Sequence, residues 1–203
     1  MLESVEIRWF FQGQMPDKLH SILGDSDIQS KWESRSDYYL LIEKCDNLGI
    51  KLRNSRLELK WLKKSKNFNL PQFNIDGKIE HWIRWEWNDT KSLNNILQFI
   101  HLNKDNPWIK IDKNRLQQKF NIHDNSLVEV SSESIHFDIA IEITRLNAFD
   151  QPWWSIAFDS FLKENHEYFF TQLLKRYVNK DLRTLLKIES SYGYPKWISK
   201  NSK

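Results

Sequence analysis

The chain has 203 residues, with 30 Lys and Arg against 27 Asp and Glu and a net charge of +3. At 40% hydrophobic and 28% charged, its composition is that of neither a disordered nor a membrane-spanning chain, and no apolar run approaches the roughly 20 residues a membrane helix needs. Cys45 is the only cysteine, so an internal disulfide is excluded; together with an N-terminus that has no basic region followed by an apolar stretch, this gives the expectation of a cytoplasmic protein. Few Gly and Pro residues, and no repeat or linker, predict a single domain over residues 1–203.

The first expected strand is Val5 to Phe11, with Glu6 and Arg8 on one face and Val5, Ile7 and Trp9 on the other. Gly13 and Pro16 end it, and Asp17 to Leu23 reads as a short helix before a polar, turn-rich segment at 24–30. Asp37 to Cys45 reads as a second strand. Ile50 to Arg53 and Arg56 to Leu62 form a hairpin through Asn54-Ser55. The lysines from Lys60 to Lys66 then read as a solvated loop or a strand edge.

Lys78 to Trp87 alternates cleanly: Glu80, Trp82, Arg84 and Glu86 against His81, Ile83, Trp85 and Trp87. Thr90 or Asp89 caps a helix through Ile100, whose apolar stripe is Leu93, Ile96, Leu97 and Ile100. Trp108 to Asn114 and Arg115 to Phe120 read as a strand pair, and Asp124-Asn125 as a turn. Leu127 to Ser131 and Ser134 to Arg145 follow as strands; the latter presents His136, Asp138, Ala140, Glu142 and Thr144 on one side. Pro152 breaks the chain, and Trp153 to Asp159 leads into a helix over Phe161 to Val178. The tail around Tyr192-Gly193-Tyr194-Pro195-Lys196-Trp197 is aromatic enough to pack back on the body.

Several strands therefore carry charge of both signs at a two-residue period, opposite faces rich in Ile, Leu, Val and Trp. If helices cover the apolar faces and the sheet closes, the charged faces line a lumen. Arg and Lys in such a lumen attract phosphate oxygens, and carboxylates there are hard ligands for Mg²⁺ or Mn²⁺. No glycine-rich phosphate loop, Cys/His cluster or nucleophile–base arrangement stands out.

Val5-Glu6-Ile7-Arg8, Asp37-Tyr38-Tyr39-Leu40, Gly49 to Arg53, Leu57 to Lys60, Lys110-Ile111-Asp112 and Ile141-Glu142 together resemble the adenylate cyclase/thiamine triphosphatase (CYTH) group, the triphosphate tunnel metalloenzymes. The resemblance implies an α+β fold: a closed or nearly closed eight-stranded antiparallel β-barrel with peripheral helices. It implies a divalent-metal-dependent triphosphate hydrolase acting on a nucleotide, thiamine or inorganic triphosphate. The implied catalytic residues are Glu6, Arg8 and Glu58. Lys51, Arg53, Arg56, Lys60, Arg84 and Lys110 are the implied phosphate contacts, and Glu6, Glu86, Asp138 and Glu142 would hold Mg²⁺ or Mn²⁺. The family's opening signature alternates Glu, Glu and Lys, whereas the matching positions here are Ser4, Glu6 and Arg8. Serine is a poor substitute for an anionic ligand, and arginine stays protonated. The alternative is thus a noncatalytic binding protein for phosphate-containing or other anionic metabolites. The near balance of acids and bases argues against nucleic acid as partner, and nothing points to a membrane.

Overall fold

The computed structural model describes residues 1–20, 23, 31–53, 56–103 and 105–202. The strands are β1 (Leu2–Gln12), β2 (Glu33–Leu40), β3 (Leu48–Arg53), β4 (Arg56–Leu70), β5 (Ile75–Trp87), β6 (Trp108–His123), β7 (Ser126–Val130), β8 (Ile139–Ala148) and β9 (Gln151–Ser160). The helices are α1 (Thr90–Leu102), α2 (His166–Tyr177), α3 (Lys180–Arg183) and α4 (Tyr194–Asn201). Eight strands pair antiparallel in the order β2-β3-β4-β5-β1-β9-β8-β6, and β6 pairs again with β2 to close the barrel. The short β7 hangs on β6 as a ninth strand. The closed eight-stranded barrel with helices around it is the architecture expected above.

Alternation places the strands' two faces. Val5, Ile7 and Trp9 of β1, Ile141 and Ile143 of β8, and Trp154, Ile156 and Phe158 of β9 point outward. There they join Phe169, Phe170, Leu173 and Leu174 of α2 in the main core. A smaller core lies under α1, where Leu93 and Ile100 meet Leu52. Asp89 caps α1, its carboxylate accepting from the backbone N–H and the hydroxyl of Ser92. Among the described residues no helix is long and apolar enough to cross a membrane.

Several elements differ from the sequence expectation. Trp108–His123 is one 16-residue strand, not a pair. Gln151–Ser160 is a full strand paired with both β8 and β1, not a lead into a helix. Its hairpin turn is Phe149-Asp150, both residues in the left-handed region at φ 56° and 57°. A two-residue turn of this kind is usually marked by Asn-Gly or Asp-Gly, and here that mark is missing. β4 continues to Leu70, so the lysines from Lys60 to Lys66 lie within a strand. β8 starts at Ile139 and α2 at His166, both later than expected. The expected reversal at Asn54-Ser55, the segment 24–30 and part of the helix expected before it lie outside the described residues.

The C-terminal segment completes the wall. β1 pairs with β5 only as far as Ile7. Beyond that point Ser191 bridges to Trp9, the Tyr192 N–H donates to the Arg8 carbonyl at 3.1 Å, and the Ser191 hydroxyl accepts from the Lys78 N–H at 2.8 Å. The chain then turns into the barrel at Gly193. A β-carbon there would sit 2.7 Å from the Trp82 ring and 2.8 Å from the Glu80 carboxylate, so only glycine fits. Pro195 lies in the first turn of α4. This helix fills one end of the lumen, stacking Trp197 on Phe10 at 4.7 Å and edge-on to Trp153.

Candidate functional site

A cavity of about 870 Å³ lies within the barrel. Its walls are the inward faces of the strands. β1 contributes Ser4, Glu6 and Arg8, β3 Lys51 and Arg53, β4 Glu58 and Lys60, and β5 Trp82 and Arg84. β2 and β6 add Arg35, Tyr39, Lys113, Arg115 and Lys119, while β8 and β9 add Glu142 and Asp159. Tyr194 of α4 forms part of its floor.

Three ion-pair groups organise these side chains. In the first, Arg8 donates from Nη1 to Glu142 at 2.9 Å and to Ser155 at 3.1 Å, and from Nε to Glu6 at 3.3 Å. Glu142 also takes Arg115 at 3.3 Å and the Thr144 hydroxyl at 3.0 Å, and Glu6 faces Lys60 at 3.5 Å. In the second, Asp37, fully buried, accepts a fork of two bonds from Arg53 at 2.7 and 2.9 Å and faces Lys113 at 3.0 Å. In the third, Glu58 pairs with Lys51 at 2.6 Å and with Arg84 at 3.8 Å.

Burial and neighbouring charge set the protonation of the cavity. Burial pushes the Glu58 carboxyl up, but Lys51 and Lys60 outweigh it and hold it at about 2. Lys51 is lowered to about 8 by burial, which Glu58 only partly offsets. Lys113 falls well below the usual lysine range because burial exceeds the attraction of Asp37. Glu80, which faces Glu6 across the β1–β5 ladder, is raised to about 7 by burial and by that neighbour. Asp159 faces Glu6 from the other side, across the β1–β9 ladder. Burial and Glu6 raise it, so it keeps its proton and hydrogen-bonds to an ionised Glu6.

The structure brings together Glu6, Arg8, Lys51, Arg53, Glu58, Lys60, Arg84 and Glu142 in one cavity. Arg56 and Glu86 instead pair with each other at 3.2 Å on the exposed rim. Lys110 points outward and pairs with Asp112 at 2.9 Å, about half exposed, so it is not a lumen contact. The reason is the phase of β6: Ile111, Lys113 and Arg115 are the inward residues, and Ile111 meets the aromatic plug. Asp138 borders the cavity, but its carboxylate accepts the Ile122 N–H at 2.8 Å and ties the chain before β8 to β6. Sequence reasoning missed Arg35, Asp37, Lys113 and Arg115 as lumen charges, and it did not assign Asp159 or Tyr194 to the site. The odd-numbered phase of Lys113, Arg115, Gln117 and Lys119 was the available signal for β6.

As arranged, the expected metal ligands do not suit a divalent ion. Glu86 and Asp138 are engaged elsewhere, and Glu6 and Glu142 are both bonded to Arg8. Among the described residues no group of three or more Asp, Glu, His or Cys is arranged to hold a metal.

No family model matches the chain, and no curated protein matches its sequence. Among solved structures it is similar to a putative adenylyl cyclase, HpAC1, from Hippeastrum, described as having a dominant triphosphatase activity: 11% identity, 100% of this chain and 97% of that one, TM-score 0.47. It is also similar to the PH1819 protein of Pyrococcus horikoshii OT3: 13% identity, 97% and 98% coverage, TM-score 0.41. The chemistry of this chain rests on its own residues.

Proposed function

We propose that the protein binds a phosphate-rich anionic small molecule, a triphosphate or another polyphosphate, inside the barrel. The observation that carries this reading is the wall itself: nine Lys and Arg side chains border the cavity against six Asp and Glu. Arg35 and Arg115 each keep a buried Nε with no hydrogen-bond acceptor among the described residues. Buried donors without partners are costly, and phosphate oxygens supply acceptors that fit a guanidinium. Lys51, Arg53, Lys60 and Arg84 surround the same space and are partly open to it. On the outside, Lys63 and Lys66 are paired with Glu3 and Glu167. The excess of basic over acidic side chains lies in the lumen, which favours a small anion there over nucleic acid on the surface.

Hydrolysis of the bound triphosphate is the second reading. It is favoured by one feature, a protonated Asp159 beside an ionised Glu6. Environments that push two neighbouring carboxyls apart are suited to an acid and a base. Because the carboxylates do not suit Mg²⁺ or Mn²⁺ as they stand, no step is assigned to a metal.

Calorimetric titration with inorganic tripolyphosphate tests the first reading. Saturable binding that Arg84→Ala weakens is expected, and absence of binding to folded protein would sink it. Phosphate release from a panel of triphosphates, with and without Mg²⁺ or Mn²⁺, tests the second. Release that Asp159→Asn abolishes while binding persists supports hydrolysis; no release across the panel leaves a binding protein.

A further inference from the structure

Glu6, Glu142 and Asp159 come from three strands, β1, β8 and β9, and converge on one point. That point is taken. The Arg8 guanidinium reaches Glu6 with Nε at 3.3 Å, Glu142 with Nη1 at 2.9 Å and Asp159 with Nη2 at 4.0 Å. One planar cation thus addresses three carboxyl groups with three different nitrogens, which a single ammonium point charge does not do.

The second oxygens of the two glutamates are also occupied. The second oxygen of Glu6 faces Lys60 at 3.5 Å, and that of Glu142 faces Arg115 at 3.3 Å. The two ionised glutamates and the protonated Asp159 therefore meet three cations, Arg8, Lys60 and Arg115, and no surplus of negative charge remains to attract a divalent ion. The guanidinium is also fixed in place. Ser155 accepts from it at 3.1 Å, the Tyr194 ring lies 5.1 Å from its carbon, and the side chain is only 4% exposed.

We propose that Arg8 is the resident cation of this barrel: its guanidinium sits between Glu6, Glu142 and Asp159 and engages them, which leaves these carboxyl groups unable to take up a divalent ion, so the cavity takes its anion without metal. The last clause rests on the reading of the cavity as a polyphosphate site; the first does not. An arginine in this position cannot be chelated away or deprotonated at ordinary pH.

Mn²⁺ binding to the full chain, followed by electron paramagnetic resonance with no anion present, tests the first clause. Wild-type protein is expected to show no saturable site at millimolar Mn²⁺. Arg8→Met, which frees the carboxylates, is expected to gain one, and its Tm to rise with Mn²⁺. A saturable site in the wild type, or a folded Arg8→Met that gains none, overturns the assignment. If Arg8→Met does not fold, the wild-type titration alone decides it. Titration with inorganic tripolyphosphate in EDTA tests the second clause: binding in EDTA is expected, and binding that appears only with Mg²⁺ overturns it. Absence of binding in both buffers removes the polyphosphate reading and leaves the assignment of Arg8 to the Mn²⁺ result.

Discussion

At one end of the barrel Phe10, Tyr39, Ile111, Leu146 and Trp153 point inward and close on Trp197 and Ile198 of α4. At the other end Glu6 of β1, Lys60 of β4, Arg84 of β5, Arg115 of β6 and Glu142 of β8 point inward around a cavity. β1 shows both halves, with Phe10 in the plug and Arg8 two residues earlier among the carboxylates. The backbone geometry is common to the two halves; what differs is what fills the lumen. Where a helix fills it, inward residues are apolar and packed as in any core. Where no chain fills it, inward residues must neutralise one another or wait for a ligand.

The boundary between the halves is itself a packed layer. Lys113 donates to the Tyr39 hydroxyl at 2.8 Å and lies 3.7 Å from the centre of the Tyr194 ring, while Tyr39 and Tyr194 stack at 5.3 Å. Asp37 sits in this layer, and its three neighbouring cations, Arg35, Arg53 and Lys113, come from the barrel's own strands.

The contrast can be broken most strongly at the plug. Trp197→Ala removes a fully buried ring that stacks on Phe10, and a loss of about 4 kcal/mol is expected in chemical denaturation. Asp37→Asn strips the charge that balances Lys113 and Arg53, with an expected cost of roughly 3 kcal/mol and a lower Tm.

Glu80 sharpens the comparison through pH. Its folded pKa of about 7 lies above the ordinary 4.5, so its contribution to stability is full below pH 4.5 and is lost as pH rises through 7. Glu80→Gln should therefore stabilise the protein at pH 8 by about 3 kcal/mol and change little at pH 4. An equal effect at both values would show that Glu80 is not held protonated.

In the open half, Arg84→Ala should leave stability within about 1 kcal/mol, since Arg84 is partly exposed and its two ion pairs are long. Its affinity for tripolyphosphate should fall about tenfold. A variant that loses stability without losing affinity would place Arg84 with the structural half instead.

The regular alternation of β1, β3, the first part of β4 and β5 was legible, because charged and apolar residues sort cleanly to opposite faces there. Glu6, Arg8, Lys51, Arg53, Glu58, Lys60 and Arg84 lie on the charged faces of those strands, and the family resemblance singled them out together with Glu142 of β8. β9 was not, because Trp153 to Phe158 is buried on both faces and shows no period. Its turn, Phe149-Asp150, carries no glycine or asparagine to mark it, and so Asp159 was read as lying before a helix. Lys110 failed for a related reason: Ile109 and Ile111 are apolar because they face inward near the plug, so treating apolar residues as the outer face put Lys110 on the wrong side.

The sequence by itself determined the alternating strands, the charges they carry and the capped helix α1, because these follow from side-chain period and from neighbours a few residues apart. Only the tertiary structure decided that the sheet closes and that α4 enters one end of the lumen. It also decided that Arg8 meets Glu142, 134 residues away. Closure and long-range ion pairs depend on which strands lie side by side, and no local pattern encodes that. The two-residue charge period thus marks a lumen, and its filling by α4 at one end and by paired charges at the other is a property of the closed barrel.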